Sequence, residues 1–153
     1  MLAGKFKLKL DQAGRCTIPS KLRKGLGNEI IISAGLDRCE CLNLYHVEAW
    51  EQLQRTLFPT PHPRNFRREV LHTMRYLGSS AELAELDNNN RVVIPAELRE
   101  RAGLRQEVVI IGAMDHAEIW DADRWEAYEQ QLITEETQEM IRAVLTEPQG
   151  EVA

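Results

Sequence analysis

The chain has 153 residues, 43% of them hydrophobic and 28% charged, which is the mixture of an ordinary globular protein, so disorder is not the default. No apolar run approaches the ~18 residues of a membrane-spanning helix. The opening Met1-Leu2-Ala3-Gly4-Lys5-Phe6-Lys7 lacks the basic-then-apolar order of a secretory signal, so a cytoplasmic protein without a membrane partner is expected. The formal net charge is −5, yet residues 1–24 carry seven basic side chains (Lys5, Lys7, Lys9, Arg15, Lys21, Arg23, Lys24) against Asp11 alone, a local balance of +6. From Asp115 onward, eleven acids face only Arg124 and Arg142. A polyanion is bound by a local patch, not by net charge, so the basic N-terminal stretch stays a candidate surface for one.

In chain order, Lys5 to Leu10 alternates strictly, which predicts a half-buried strand with Phe6, Leu8 and Leu10 inward and the lysines outward. Asp11-Gln12-Ala13-Gly14 predicts a turn, because Asp bonds nearby backbone N–H groups and Gly accepts positive φ. A short β-branched strand follows. Pro19 ends it and suits the start of a short helix. Glu29 to Ile32 predicts an Ile-rich strand, and another strand leads into a helix carrying Trp50. Pro59-Thr60-Pro61-His62-Pro63 is a linker by composition. The apolar spacing of Phe66, Val70, Leu71, Met74 and Leu77 predicts a helix over Arg64 to Leu77, stopped by Gly78-Ser79-Ser80. The tail from Arg124 to Leu145 predicts one or two amphipathic helices.

Three cysteines, Cys16, Cys39 and Cys41, do not make a closed disulfide framework. On a strand, Cys39 and Cys41 point to one face. A structural zinc site wants four ligands, and His46, His62, His72 and His116 form no cluster in sequence, so neither a metal nor a cofactor is expected. No nucleophile–base pair or phosphate-cradling loop is visible, and no catalytic residue is assigned.

The chain repeats itself. Residues 10–23 (LDQAGRCTIPSKLR) and 86–99 (LDNNNRVVIPAELR) match at an offset of 76, with seven of fourteen positions identical. Asp87 and Asn90 take the places of Asp11 and Gly14; Asn also tolerates the left-handed region, so both turns are expected to form. Each half is marginal alone, at roughly 50–60 residues, so the halves should pair around a pseudo-two-fold axis. The expected fold is α+β and β-rich, a small closed β-barrel with flanking helices. The parts are residues 1–58, first repeat with its helix; 59–79, linker and connecting helix; 80–131, second repeat with its helix; and 132–153, a C-terminal helix and tail.

The string Asp11-x-x-Gly14-Arg15-x-x-x-Pro19 resembles the signature of the SpoVT/AbrB superfamily of swapped-hairpin DNA-binding modules. Two copies in one chain, with Leu44-Tyr45 before Trp50-Glu51 and Glu118-Ile119-Trp120-Asp121 before Trp125, resemble the MraZ family over residues 4–130. That resemblance implies a transcriptional repressor of the bacterial division and cell-wall gene cluster. It also implies binding of double-stranded DNA at tandem direct repeats in the promoter, as a ring-shaped homo-oligomer associated with the nucleoid. It makes Arg15 the base-reading side chain and, by repeat symmetry, Arg91 its counterpart. Lys5, Lys7 and Lys9 are then expected on phosphates, with Lys21, Arg23 and Lys24 contributing near the helix. Asp11, Gly14, Asp87 and Asn90 form the turns. His46 departs from the proline usual after the tyrosine. The competing expectation is an antitoxin-like module that binds a protein.

Overall fold

The computed structural model describes residues 1–36, 38–59 and 67–148. The chain divides into two compact units, Met1–Ala122 and Asp123–Ala153. The strands of both repeats lie in the first.

The first repeat runs β1 (Lys5–Lys9), β2 (Arg15–Thr17), α1 (Ser20–Leu26), β3 (Glu29–Ala34), β4 (Cys41–His46) and α2 (Val47–Leu57). After α3 (Arg68–Ser80) the order recurs as β5 (Glu82–Glu85), β6 (Arg91–Val93), α4 (Ala96–Arg101), β7 (Glu107–Gly112) and β8 (Ala117–Asp121). The predicted alternation of β1 holds, with three exposed lysines between the half-buried Phe6 and Leu8. Pro19 and Pro95 cap α1 and α4, each at the φ near −60° that its ring imposes.

All strand pairs are antiparallel. Six strands form one sheet in the order β1-β7-β8-β4-β3-β5, and β2 pairs with β6 in a separate ribbon. Each repeat thus lends its first strand to the other repeat's third. Exchanging the repeats reverses the sheet order and leaves it unchanged. The registers agree: Leu8 faces Val108 as Ala84 faces Ile30. Two pairs map onto themselves under the exchange, Cys16–Val92 in the ribbon and Asn43–Glu118 in the sheet.

The strand pairing of the described residues shows no closed barrel. Among the described residues no hydrogen-bonded pairing joins β1 to β5 or the ribbon to the sheet, so the sheet is open. Edge closure needs two strands at pairing distance in register, and the repeat pattern specifies neither. One face of the sheet and the ribbon bury a shared core of Cys16, Ile18, Ile30, Ile32, Leu42, Leu44, Val92, Ile94, Ile110 and Ile119, with Leu22 and Leu26 from α1 and Leu98 from α4. Burying each large aliphatic side chain contributes about 1.5–3 kcal/mol. A second cluster on the opposite face joins Tyr45, Trp50 and Leu77.

Two local expectations also change. α3 does not stop at Gly78 but runs to Ser80, whose Oγ donates to the Leu77 carbonyl and accepts from the Ala34 amide. That link to β3 holds the last turn in place against the low helix propensity of Gly-Ser-Ser. α3 begins at Arg68, while Arg64, Phe66 and most of the proline linker lie outside the described residues. His46 acts locally, since its Nδ1 accepts the Glu48 amide and caps α2. The second unit holds α5 (Ala122–Leu132) from its second residue on and α6 (Glu135–Thr146), the latter capped by Thr134 Oγ1.

Candidate nucleic-acid interface

Each repeat builds one tight turn from the same parts. Asp11 Oδ1 accepts the amides of Ala13 (2.9 Å) and Arg15 (2.8 Å), and its Oδ2 accepts Arg15 Nε at 2.7 Å. The Gly14 amide closes the loop on the Asp11 carbonyl, and Gly14 takes φ 79°. In the second repeat Asp87 Oδ1 accepts Asn89 and Arg91 amides, Oδ2 accepts Arg91 Nε at 3.1 Å, and Asn90 takes φ 60°. Asn90 therefore reproduces the glycine turn, as expected from its tolerance of that region. Both carboxyls sit below the usual carboxylate range, first because they accept the amide of the arginine and further because of its side chain.

The two turns interlock. Ile18 donates its amide to the Asn90 carbonyl at 2.9 Å, and Ile94 donates to the Gly14 carbonyl at 2.8 Å. With β2 paired to β6, Arg15 stands opposite Val93 and Arg91 opposite Thr17. The pseudo-symmetry thus puts Arg15 and Arg91 on a single two-stranded ribbon.

The arginines are held by Nε alone. Among the described residues their terminal Nη groups make no hydrogen bond, and their side chains are 41% and 30% exposed. A guanidinium braced in this way presents two parallel N–H donors in a fixed direction, the geometry that fits guanine O6/N7 or a phosphate fork.

The other candidates fall into two groups. Lys5, Lys7 and Lys9 lie exposed along the edge strand β1, spread over about 13 Å. Lys21 and Lys24 are exposed on α1, and Arg23 is half-buried there. The structure separates Arg23 from its repeat partner Arg99, a distinction invisible in the matching sequence. Arg99 Nε donates to the Ile94 carbonyl at 3.0 Å and its guanidinium lies over Gly14. Arg23 makes no side-chain hydrogen bond or ion pair among the described residues.

One further polar group gathers on the sheet face opposite the shared core. Sγ of Cys39 and Cys41 and a Glu118 oxygen lie within 4.8 Å of one another. Burial, then the charge of Glu118, pushes the Cys41 thiol up. The sequence hid this group because Glu118 comes from the other repeat, 77 residues from Cys41.

Two interlocked repeats that exchange strands, each presenting an arginine on an aspartate-braced turn, define a tandem module of the swapped-hairpin class. A family described as "MraZ protein, putative antitoxin-like" matches residues 1–72 and 77–146. Among similar proteins named "Transcriptional regulator MraZ", that of Acetivibrio thermocellus is 38% identical over 128 residues, covering 84% of this chain and 86% of that protein. The one from Pelotomaculum thermopropionicum is 39% identical over 131 residues, 86% of this chain and 87% of that protein. The chain belongs to the MraZ family.

Proposed function

We propose that this chain is a sequence-specific DNA-binding transcriptional repressor of the bacterial division and cell-wall gene cluster. It binds tandem direct repeats in the promoter as a homo-oligomeric ring, in the cytoplasm at the nucleoid, with the two repeats acting as one pseudo-two-fold, barrel-like body. The observation that carries this reading is the Arg15 guanidinium, braced through Nε by Asp11 with its outer donors unused among the described residues. The names of the relatives support regulation of transcription and not catalysis. No helix among the described residues is long and apolar enough to cross a membrane.

The repeats differ in charge. Residues 81–100 hold five acids and two arginines, a balance of −3, against +6 for residues 1–24. Arg15 is therefore the principal base reader and Arg91 the weaker one. Lys5, Lys7, Lys9, Lys21, Arg23 and Lys24 meet phosphates, which fix position without reading sequence. The exposed apolar side chains Met140, Ile141, Val144 and Leu145 on one side of α6 suit a subunit contact in the ring.

Fluorescence anisotropy with promoter fragments carrying one to three repeats tests the reading. Wild type should bind one repeat poorly and three far more tightly, because later contacts form at high effective concentration. Arg15→Ala should lose roughly 10–100-fold in specific binding, the worth of a bidentate base contact, while remaining folded and oligomeric. Unchanged binding would remove Arg15 from the interface.

The description of the family as antitoxin-like favours a second reading, a module that binds a protein. It predicts a stable complex with a second protein, and no specific DNA binding by the wild type.

A further inference from the structure

We propose that Cys39, Cys41 and Glu118 form a site for one thiophilic divalent cation of the zinc class, with a water as fourth ligand and His116 as a positioning residue for Glu118.

The two sulfurs are brought together by the backbone. The β3–β4 turn is tied by Gly35 N–H to the Cys41 carbonyl at 3.0 Å and Cys39 N–H to the Leu36 carbonyl at 3.0 Å. A Cβ on Gly35 would lie 2.6 Å from the Cys39 carbonyl oxygen and 3.1 Å from Cys41 Sγ, so only glycine lets the turn close this tightly. Arg38, at φ 61°, completes the reversal. The result is a Cys39–Cys41 Sγ separation of 3.1 Å, with Cys41 buried and Cys39 half-buried. Tetrahedral coordination at a metal–sulfur distance of about 2.3 Å sets the sulfurs about 3.8 Å apart, so they need part by only about 0.7 Å.

The third donor is aimed from the other repeat. On β8, Glu118 Oε1 accepts Trp120 Nε1 at 3.0 Å, and Oε2 pairs with His116 Nε2 at 3.0 Å. His116 Nδ1 in turn pairs with Asp115 Oδ1 at 2.6 Å, and the ring stacks on Tyr45. This chain fixes the carboxylate while leaving each oxygen a further lone pair for a metal. Such outer partners orient metal ligands in known sites. The pseudo-two-fold passes through the Asn43–Glu118 pair, so the cation would tie the β3–β4 turn of one repeat to a strand of the other.

The donor set selects the ion. Two thiolates exclude calcium and magnesium, which take oxygen ligands, and the carboxylate suits zinc better than copper(I). Binding releases the two thiol protons to solvent.

Cobalt(II) is the probe, added to the full-length protein after reduction and chelator treatment. The expected result is one equivalent bound per chain, with thiolate-to-cobalt charge transfer and intense tetrahedral d–d bands that zinc(II) bleaches. Cys39→Ser should abolish the charge-transfer band, with the far-UV circular dichroism of wild type as the folding check. His116→Gln should weaken binding by roughly 10–100-fold and keep the spectral shape, as loss of an orienting partner does. Zinc(II) should raise the Tm of wild type and not of Cys39→Ser. Absence of the band in wild type, or its survival in Cys39→Ser, overturns the proposal. So does loss of two free thiols on removing the reductant in a protein that takes up no cobalt, which would mark the pair as a disulfide device.

Discussion

Gly14 and Asn90 hold equivalent turn positions at φ 79° and 60°, which suggests that either residue would serve in either turn. The packing says otherwise. A Cβ at position 14 would lie 2.7 Å from Arg99 Cζ, 2.8 Å from Arg99 Nε and 3.0 Å from the Ile94 carbonyl oxygen. Gly14→Asn must therefore displace the guanidinium and break the Arg99 Nε bond to the Ile94 carbonyl. A lost hydrogen bond costs about 1 kcal/mol, and an Asn in the left-handed region about another 1 kcal/mol relative to Gly. The expected destabilisation is about 2 kcal/mol, or a fall in Tm of roughly 4–8 °C for a chain of this size. Asn90→Gly should change stability by no more than about 0.5–1 kcal/mol, because relief of positive φ offsets the added unfolded-state entropy. Calorimetry or urea denaturation of the two single variants measures the asymmetry. In an Arg99→Ala background Gly14→Asn should cost about 1 kcal/mol less, a coupling that a double-mutant cycle reads directly. Equal effects of Gly14→Asn and Asn90→Gly, or no coupling to Arg99, would refute the packing argument.

Arg91→Ala should weaken DNA binding less than Arg15→Ala, and in the same anisotropy assay Lys7→Ala should lower the salt slope by about one without changing sequence preference. Arg105→Ala should destabilise the fold by about 2 kcal/mol, because it removes two side-chain bonds (3.1 and 2.8 Å) from the Asp121 carboxylate, which is 2% exposed. Its own exposure of 67% keeps the loss below that of a fully buried pair, and urea denaturation measures it. Asp11 and Asp87 have folded-state pKa values below 3.8, so the unfolded chain binds more protons in that window and stability rises with pH across it. Their contribution is complete above about 3.8 and is lost as pH falls through the lowered values; Asp11→Asn/Asp87→Asn should flatten the Tm–pH curve there, and an unchanged slope would assign acid sensitivity to other carboxylates.

Much of the molecule was legible locally. Alternation over Lys5 to Leu10, the Asp-x-x-Gly and Asp-x-x-Asn turns, and the prolines opening short helices are all short-range effects of side-chain period and allowed φ. The repeat itself announced two similar units, and the arginine on each turn could be named from its neighbours. What the chain could not reveal locally lay between segments about 75 residues apart. Strand exchange, the self-paired Cys16–Val92 and Asn43–Glu118 positions, and the open sheet depend on the register between repeats, which collective burial of the shared core decides. The same packing ties Arg99 to Ile94, while Arg23 makes no side-chain bond among the described residues, although both occupy one place in the motif. It also carries Glu118 to Cys39 and Cys41, where spacing along the chain had shown only two thiols. Sequence determined the parts because backbone preference acts over a few residues; only the tertiary structure decided which parts meet, because contact between distant strands is set by the packing of the whole.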